Sequence, residues 1–252
     1  MRNGKYGIDA PYVPIGYVLG GSLACGLGIA NALTDGFVTS IAPLTVGVLM
    51  LLCAGIYLHT TFRGKFRIWA DVIDRLDLAA DSRVLDLGCG RGAVLLMAAE
   101  RLGEHGRAVG IDLWRSVDQS GNSTEVTLKN AEAEGVADRV ELRTGDMTEL
   151  PFADESFDVV VSSLAIHNIK DPGGREAAVR EAVRVLKPGG RLAFADLRVA
   201  REYAKTLSDL SMQDVSLRRQ GRRGWWSGPW VTTRLVTARK PVRKSNIATH
   251  TN

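Results

Sequence analysis

The chain has 252 residues, 45 % of them hydrophobic and 24 % charged, with 32 basic against 28 acidic side chains. This is enough for one packed domain and an extra segment, and it excludes a disordered or collagen-like chain. The three cysteines, Cys25, Cys53 and Cys89, show no zinc spacing and no disulfide framework, which points to a thiol-reduced compartment.

Charge is sharply partitioned. Between Ala10 and Thr61 the single formal charge is Asp35. Residues 13–33 form one apolar run rich in Gly and Ala, and residues 41–58 form a second, each about long enough to span a bilayer as a helix. The short turn between them predicts an antiparallel transmembrane hairpin over residues 1–60. Small residues at four-residue spacing (Gly16 and Gly20, Ser22 and Gly26, Ala24 and Gly28) suggest a close helix seam. Arg2 and Lys5 before the hairpin, and Arg63, Lys65 and Arg67 after it, place both ends on the cytoplasmic side of a cell membrane. Two competing readings are a cleaved signal peptide ending near Ala30-Asn31-Ala32, and a pair of buried helices in a soluble protein. Residues 61–81 alternate basic and apolar side chains and predict an interfacial linker helix, with Trp69 and the cations near lipid headgroups.

From residue 82 the pattern becomes strand and helix in alternation. Val84-Leu85-Asp86-Leu87 reads as a buried strand, followed by Gly88, Gly90 and Gly92 and then a helix over 93–102. Without a Cβ a glycine takes positive φ and lets a ligand approach the main chain, so this unit predicts a nucleotide-binding turn. Residues 108–112 form a second strand ending in Asp112, where such folds place a ribose-binding acid. Residues 140–143 form a third, with Asp146 and Met147 just past it. Residues 157–163 form a fourth, apolar enough to be buried on both faces. A helix over 174–185 stops at the Lys187-Pro188-Gly189-Gly190 turn, and residues 191–197 form a fifth strand. A helix over 202–212 and an antiparallel pair, 215–219 and 231–238, close the domain. The intervening loop carries Trp225, Trp226 and Trp230, which predict a hydrophobic wall, a membrane contact or loop packing. Residues 241–252 read as a disordered basic tail. The C-terminal arginines suggest an anionic membrane surface, and no recognition module ties them to nucleic acid.

The segments VLDLGCGRG, GID, GDMTELPFADESFDVVVSS and LKPGGRLAFAD stand in order between about Ser82 and Lys240. In them the chain resembles the class I S-adenosylmethionine-dependent methyltransferases, above all the small-molecule group that includes ubiquinone/menaquinone C-methyltransferases. The resemblance implies a doubly wound, Rossmann-like α/β fold, a mostly parallel sheet of seven strands with one antiparallel, over residues 82–240. It implies S-adenosyl-L-methionine as cofactor and no metal. Asp86 would face its amino-acid end and Asp112 its ribose. Asp146 and Met147 would hold its adenine, with Gly88, Gly90, Gly92 and Ser162 completing the site. His167, just past the fourth strand, is the candidate general base, because imidazole titrates near neutrality; a structural role is its alternative. The expected reaction is methyl transfer to a small, apolar or membrane-associated acceptor such as a lipid or isoprenoid. The alternatives are a membrane-anchored cofactor-binding regulatory module without turnover, and a nicotinamide-dependent oxidoreductase. The latter is disfavoured by a Gly-x-Gly-x-Gly turn in place of Gly-x-Gly-x-x-Gly. Acceptor atom and oligomeric state are not written in the sequence.

Overall fold

The computed structural model describes residues 2–115 and 117–242, so most of the expected basic tail lies outside the described residues. Helices α1 (Tyr12–Thr34) and α2 (Phe37–His59) have 23 residues each. At 1.5 Å per residue each is about 35 Å long, enough to cross a hydrocarbon layer of about 30 Å. They pack on each other through a seam of small residues. A Cβ on Gly21 would lie 3.0 Å from the Gly47 carbonyl oxygen, and one on Gly47 2.8 Å from the Cys25 nitrogen. Of the expected four-residue pairs, Gly20 and Gly28 face Met50 and Leu44 of α2, whereas Gly16 and Gly26 face open space. Buried Gly21 and Gly28 lie seven apart, two full turns on one helix face. The outer faces stay bare: Leu23 is 76 % exposed, Leu33 82 % and Val38 81 %. An apolar surface of this extent marks a site of contact with a membrane or with another protein.

From α2 the chain runs without a break through a π-helical turn, Thr60–Gly64, into α3 (Lys65–Leu76), a single 40-residue rod. The turn docks on the loop at 221–226. The Thr60 hydroxyl donates to the Trp225 carbonyl, and Gly64 lies against the Arg223 carbonyl. Helix α3 buries Ile68, Trp69, Val72, Ile73 and Leu76 on one face, a helical period that packs it on the sheet. This corrects the headgroup expectation for Trp69. It is 2 % exposed and its indole N–H donates to Ser163 Oγ at 2.9 Å, while Arg63 and Arg67 point to solvent. Lys65 is buried too.

The sheet has strands β1 (Arg83–Leu87), β2 (Arg107–Asp112), β3 (Val140–Thr144), β4 (Phe157–Ser163), β5 (Leu186–Asp196), β6 (Gln213–Arg219) and β7 (Arg234–Arg239). Their order is β3-β2-β1-β4-β5-β7-β6, and β7 runs antiparallel to both neighbours. Helix α4 (Leu95–Ala99) joins α3 on one face, while α6 (Pro172–Val185) and α7 (Ala200–Asp209) cover the other; α5 (Thr124–Ala133) flanks the glycine turn. The seven-stranded α/β expectation therefore holds. Two local differences stand out. The expected turn at 187–190 is drawn into β5, and the expected helix over 93–102 is regular only in α4, tightening to i→i−3 bonds at Arg101 and Leu102. The strand order reverses between β1 and β4, where open α/β sheets hold their ligands beyond the carboxyl ends.

Candidate active site

The floor of that crevice is the turn after β1. Gly88 (φ 68°) and Gly90 (φ 52°) both take left-handed backbone. A Cβ on Gly88 would lie 2.2 Å from the Ala165 methyl, and one on Gly90 2.5 Å from Gln119 Oε1, so neither position accepts a side chain. Helix α5 fixes the turn from the side: the Thr127 hydroxyl donates to the Gly90 carbonyl at 2.8 Å and the Asn130 amide to the Arg91 carbonyl at 2.9 Å. Gly92 does not border the cavity. Its missing Cβ makes room for Leu96 and Thr127, so it serves helix packing.

Two carboxylates stand above this floor. Asp86 is 1 % exposed and its Oδ1 has no hydrogen-bond partner. Burial pushes its pKa well above the usual carboxylate range, against a lowering contribution from the Leu95 backbone and with a further push from the Asp112 charge. A buried acid with a free oxygen beside a cavity is a seat for a cationic group. Asp112 accepts from the Gly90 N–H at 2.8 Å through Oδ2, and from the Trp114 N–H at 2.6 Å through Oδ1. Asn122 adds its amide at 3.3 Å, and its own Oδ1 is buried without a partner. Oδ2 keeps a lone pair for a ligand hydroxyl, whereas Oδ1 already accepts from two donors. Asp146 and Met147 also border the cavity; Asp146 Oδ1 accepts from both the N–H and the hydroxyl of Thr148 at 2.8 Å. Ser162 is elsewhere. Its hydroxyl donates to the Leu87 carbonyl at 2.9 Å, buried between β1 and β4, and strand alternation turns Ser163 to the cavity instead.

At the far side, Leu164 takes φ 55° and turns the chain out of β4 into a 3-10 turn, Ile166–Asn168. This places His167 on the cavity wall with Nδ1 2.7 Å from Oδ1 of Asp196, the last residue of β5, an ion-pair distance without the alignment of a hydrogen bond. Asp196 accepts from three donors: the Leu197 N–H at 2.7 Å, the Tyr203 hydroxyl at 2.8 Å and the His167 N–H at 3.3 Å. Burial alone would lower the imidazole pKa, but the Asp196 carboxylate beside it and the charge of Asp118 outweigh it and raise the value. An imidazole held at Nδ1 by a carboxylate leaves Nε2 to accept a proton. Asp196 was not singled out in the sequence. Its signal was available: a strand-ending acid one strand over from His167.

Residues before the hairpin close the crevice from above. The Lys5 N–H donates to Asn130 Oδ1 at 2.7 Å, the Tyr6 hydroxyl to Glu134 at 2.7 Å and the Ile8 N–H to Ser120 Oγ at 3.2 Å. Asp9 is the hub of this strap. It accepts from Gln119 Nε2 at 3.0 Å and from Lys65 Nζ at 2.7 Å, while its carbonyl accepts from the Tyr57 hydroxyl at 2.7 Å. The resulting cavity holds about 860 Å³, toward the upper end of small-ligand pockets at roughly 300–1,000 Å³. Its lining includes Gly88 and Asp112 together with Tyr12, Tyr17, Tyr57 and Trp226. Of the three loop tryptophans, only Trp226 is buried and borders the cavity; Trp230 is 70 % exposed.

A family model described as a methyltransferase domain matches residues 78–226. The chain is 38 % identical over 130 residues to a ubiquinone/menaquinone biosynthesis C-methyltransferase of Roseobacter denitrificans, covering 51 % of this chain and 48 % of that protein. It is 31 % identical over 144 residues to the chloroplastic 2-phytyl-1,4-beta-naphthoquinone methyltransferase of Arabidopsis thaliana, covering 57 % and 52 %. The chain thus spans about half the length of these curated relatives. Among solved structures, the geranyl diphosphate C-methyltransferase of Streptomyces coelicolor, determined with S-adenosyl-L-homocysteine, superposes with a TM-score of 0.55 at 18 % identity, covering 69 % of this chain and 79 % of that one, and shares its fold. With the glycine turn, the strand-end acids and the seven-stranded sheet, these matches make the chain a member of the class I S-adenosylmethionine-dependent methyltransferases.

Proposed function

We propose that this enzyme methylates a small, apolar, membrane-associated acceptor at the cytosolic face of a membrane in which the α1–α2 hairpin is embedded. The observation that carries this reading is a cavity lined by both the glycine turn and aromatic side chains of the hairpin. The cofactor supplies an electrophilic methyl group on a sulfonium. The residues present fit it. The unpartnered Asp86 oxygen suits the ammonium of its amino-acid end, Asp112 with Asn122 suits the ribose hydroxyls, and Asp146 with Met147 suits the adenine. Gly88 and Gly90 let the backbone pass beneath.

His167 then acts on the acceptor. Asp196 holds Nδ1, Nε2 takes the acceptor's proton, and the Asp196 charge stabilises the imidazolium that forms. The rest of the chain's task is to hold the acceptor in line and keep water out, work done by the strap at 2–10 and by Trp226. The cationic flanks of the hairpin support a cytosolic catalytic domain, and the strap's docking on the domain agrees with both hairpin ends lying on one side.

The test uses the full chain in lipid nanodiscs, incubated with cofactor labelled in its methyl group and with total lipid extract. Label should enter the lipid fraction. His167→Ala should cut that transfer at least tenfold while S-adenosylhomocysteine binds as before. Binding without any labelled product in any fraction would favour the regulatory module instead.

A further inference from the structure

The cavity does not end at the catalytic residues. Its wall includes Tyr12, Val13 and Tyr17 of α1 and Tyr57 of α2. Tyr17 lies five residues beyond Tyr12, so the cavity follows the helix for about 7.5 Å at 1.5 Å per residue. The surroundings mark this as the level of a membrane boundary. Tyr12 is 64 % exposed, Phe62 54 % and Trp230 70 %, with Arg63, Arg67 and Arg222 exposed near them in sequence. Aromatic rings and cations of this kind sit at lipid headgroups.

The lining combines two chemistries. At the hairpin end the polar tips are engaged elsewhere: the Tyr57 hydroxyl donates to the Asp9 carbonyl, and the Trp226 indole N–H donates to Thr233 Oγ1 at 2.9 Å. Their rings meet edge to face with centroids 5.0 Å apart, so they offer the cavity apolar faces. Lys65, Asp118, His167 and Asn168 add a polar set to the same lining, with Lys65 joined to Tyr57 through Asp9. The geometry points to a lateral loading site: the apolar tail of the acceptor lies between Tyr17, Tyr57 and Trp226, entering from the bilayer, while its reacting head reaches His167. The occupant is a long alkyl or isoprenoid chain, because the Tyr57 and Trp226 rings, their donors engaged elsewhere, reward burial of hydrocarbon. This rests on the methyl-transfer reading above and adds to it the route and the part of the acceptor the hairpin recognises. The hairpin is then a wall of the active site as well as an anchor.

The experiment incubates the full chain, in phosphatidylcholine–phosphatidylglycerol nanodiscs, with a fifteen-carbon isoprenoid alcohol carrying a diazirine, then irradiates and maps the adducts by mass spectrometry. Adducts are expected on Tyr57 and Trp226, which at 5 % and 3 % exposure are shielded from bulk lipid. Val13→Trp, and Val231→Trp from the opposite wall, should each cut those two adducts at least fivefold and leave adducts on exposed Leu19 and Leu23. Adducts confined to the exposed hairpin residues, or unchanged in both plugged variants, would overturn the proposal. S-adenosylhomocysteine binding is measured on the same discs. Its absence in the wild type would sink the methyl-transfer reading, whereas binding without internal adducts sinks the tail site alone.

Discussion

The Lys65 ammonium stands 2.7 Å from Oδ2 of Asp9, tying a residue that precedes the first apolar helix to one that follows the second. The two side chains are 8 % and 19 % exposed. Removing one partner of a buried pair leaves an uncompensated charge, at a cost of about 3 kcal/mol. Asp9→Ala also strips Gln119 of an acceptor, and Gln119 Oε1 is what holds the Arg91 N–H of the glycine turn at 2.8 Å. The expected outcome is a loosened strap: faster tryptic cleavage after Lys5 and weaker S-adenosylhomocysteine binding by three- to tenfold. Cleavage and binding at wild-type levels would show that the strap closes the site without Asp9.

The His167–Asp196 contact sets a pH dependence. His167 acts as a base only when neutral, and its pKa is raised in the fold. Methyl transfer should therefore rise with pH through an apparent pKa above the ordinary histidine value of about 6.5. Asp196→Asn removes the larger raising influence and leaves only the Asp118 charge against burial, which lowers the pKa. The ascending limb should move to lower pH while the maximal rate falls about tenfold or more. A limb that stays in place would assign the titration to another group. The stability sign is separate. The raised pKa contributes folding stability that is fully present below the unfolded-state pKa and is lost as pH rises through the folded-state value.

Asp86 sets function against stability. Its carboxyl is fully buried with one oxygen unpartnered, and its pKa is raised. A raised carboxyl pKa means that ionisation destabilises the cofactor-free fold as pH climbs through it. Asp86→Asn removes that ionisation. The variant should melt at a higher temperature than the wild type at pH 8 without cofactor, and the gap should narrow toward pH 4. Its affinity for S-adenosylhomocysteine should fall by tenfold or more, since the amide cannot answer an ammonium with charge. Equal affinities at pH 8 would remove Asp86 from the ammonium site.

The sheet and the glycine turn were legible because their signals are local. A parallel strand buried on both faces reads as a continuous apolar run, as in β4, and a turn that needs positive φ reads as glycine at 88 and 90. What depended on side-chain direction was harder. Ser162 and Ser163 differ by one residue, and strand parity alone decides which meets the cavity. Trp69 sits among cations in the sequence, yet the helical period of α3 carries it to the core and leaves Arg67 outside. What depended on distant partners was not legible at all. Asp9 meets Lys65 across 56 residues, and no pattern in either neighbourhood announces the other.

The join between hairpin and catalytic domain hangs on one glycine. A Cβ on Gly64 would lie 2.0 Å from the Arg223 carbonyl oxygen and 3.1 Å from its carbon, both backbone atoms that a rotamer change cannot move. Gly64→Ala must therefore part the π-helical turn from the 221–226 loop and disturb the Thr60–Trp225 bond and the Arg223–Asp71 ion pair, 2.8 Å long. Overpacking of this kind costs about 2–3 kcal/mol. The comparison variant is Gly55→Ala, four residues before the end of α2, where a Cβ meets nothing within 4 Å. There alanine should be neutral or stabilising by up to about 1 kcal/mol, because glycine inside a helix costs that much. Hydrogen exchange on the full chain in nanodiscs should show faster exchange at 221–226 in Gly64→Ala, with α1 protected as in the wild type. If Gly64→Ala exchanges and melts like Gly55→Ala, the loop gives way freely, and the 40-residue rod does not fix the catalytic domain against the hairpin.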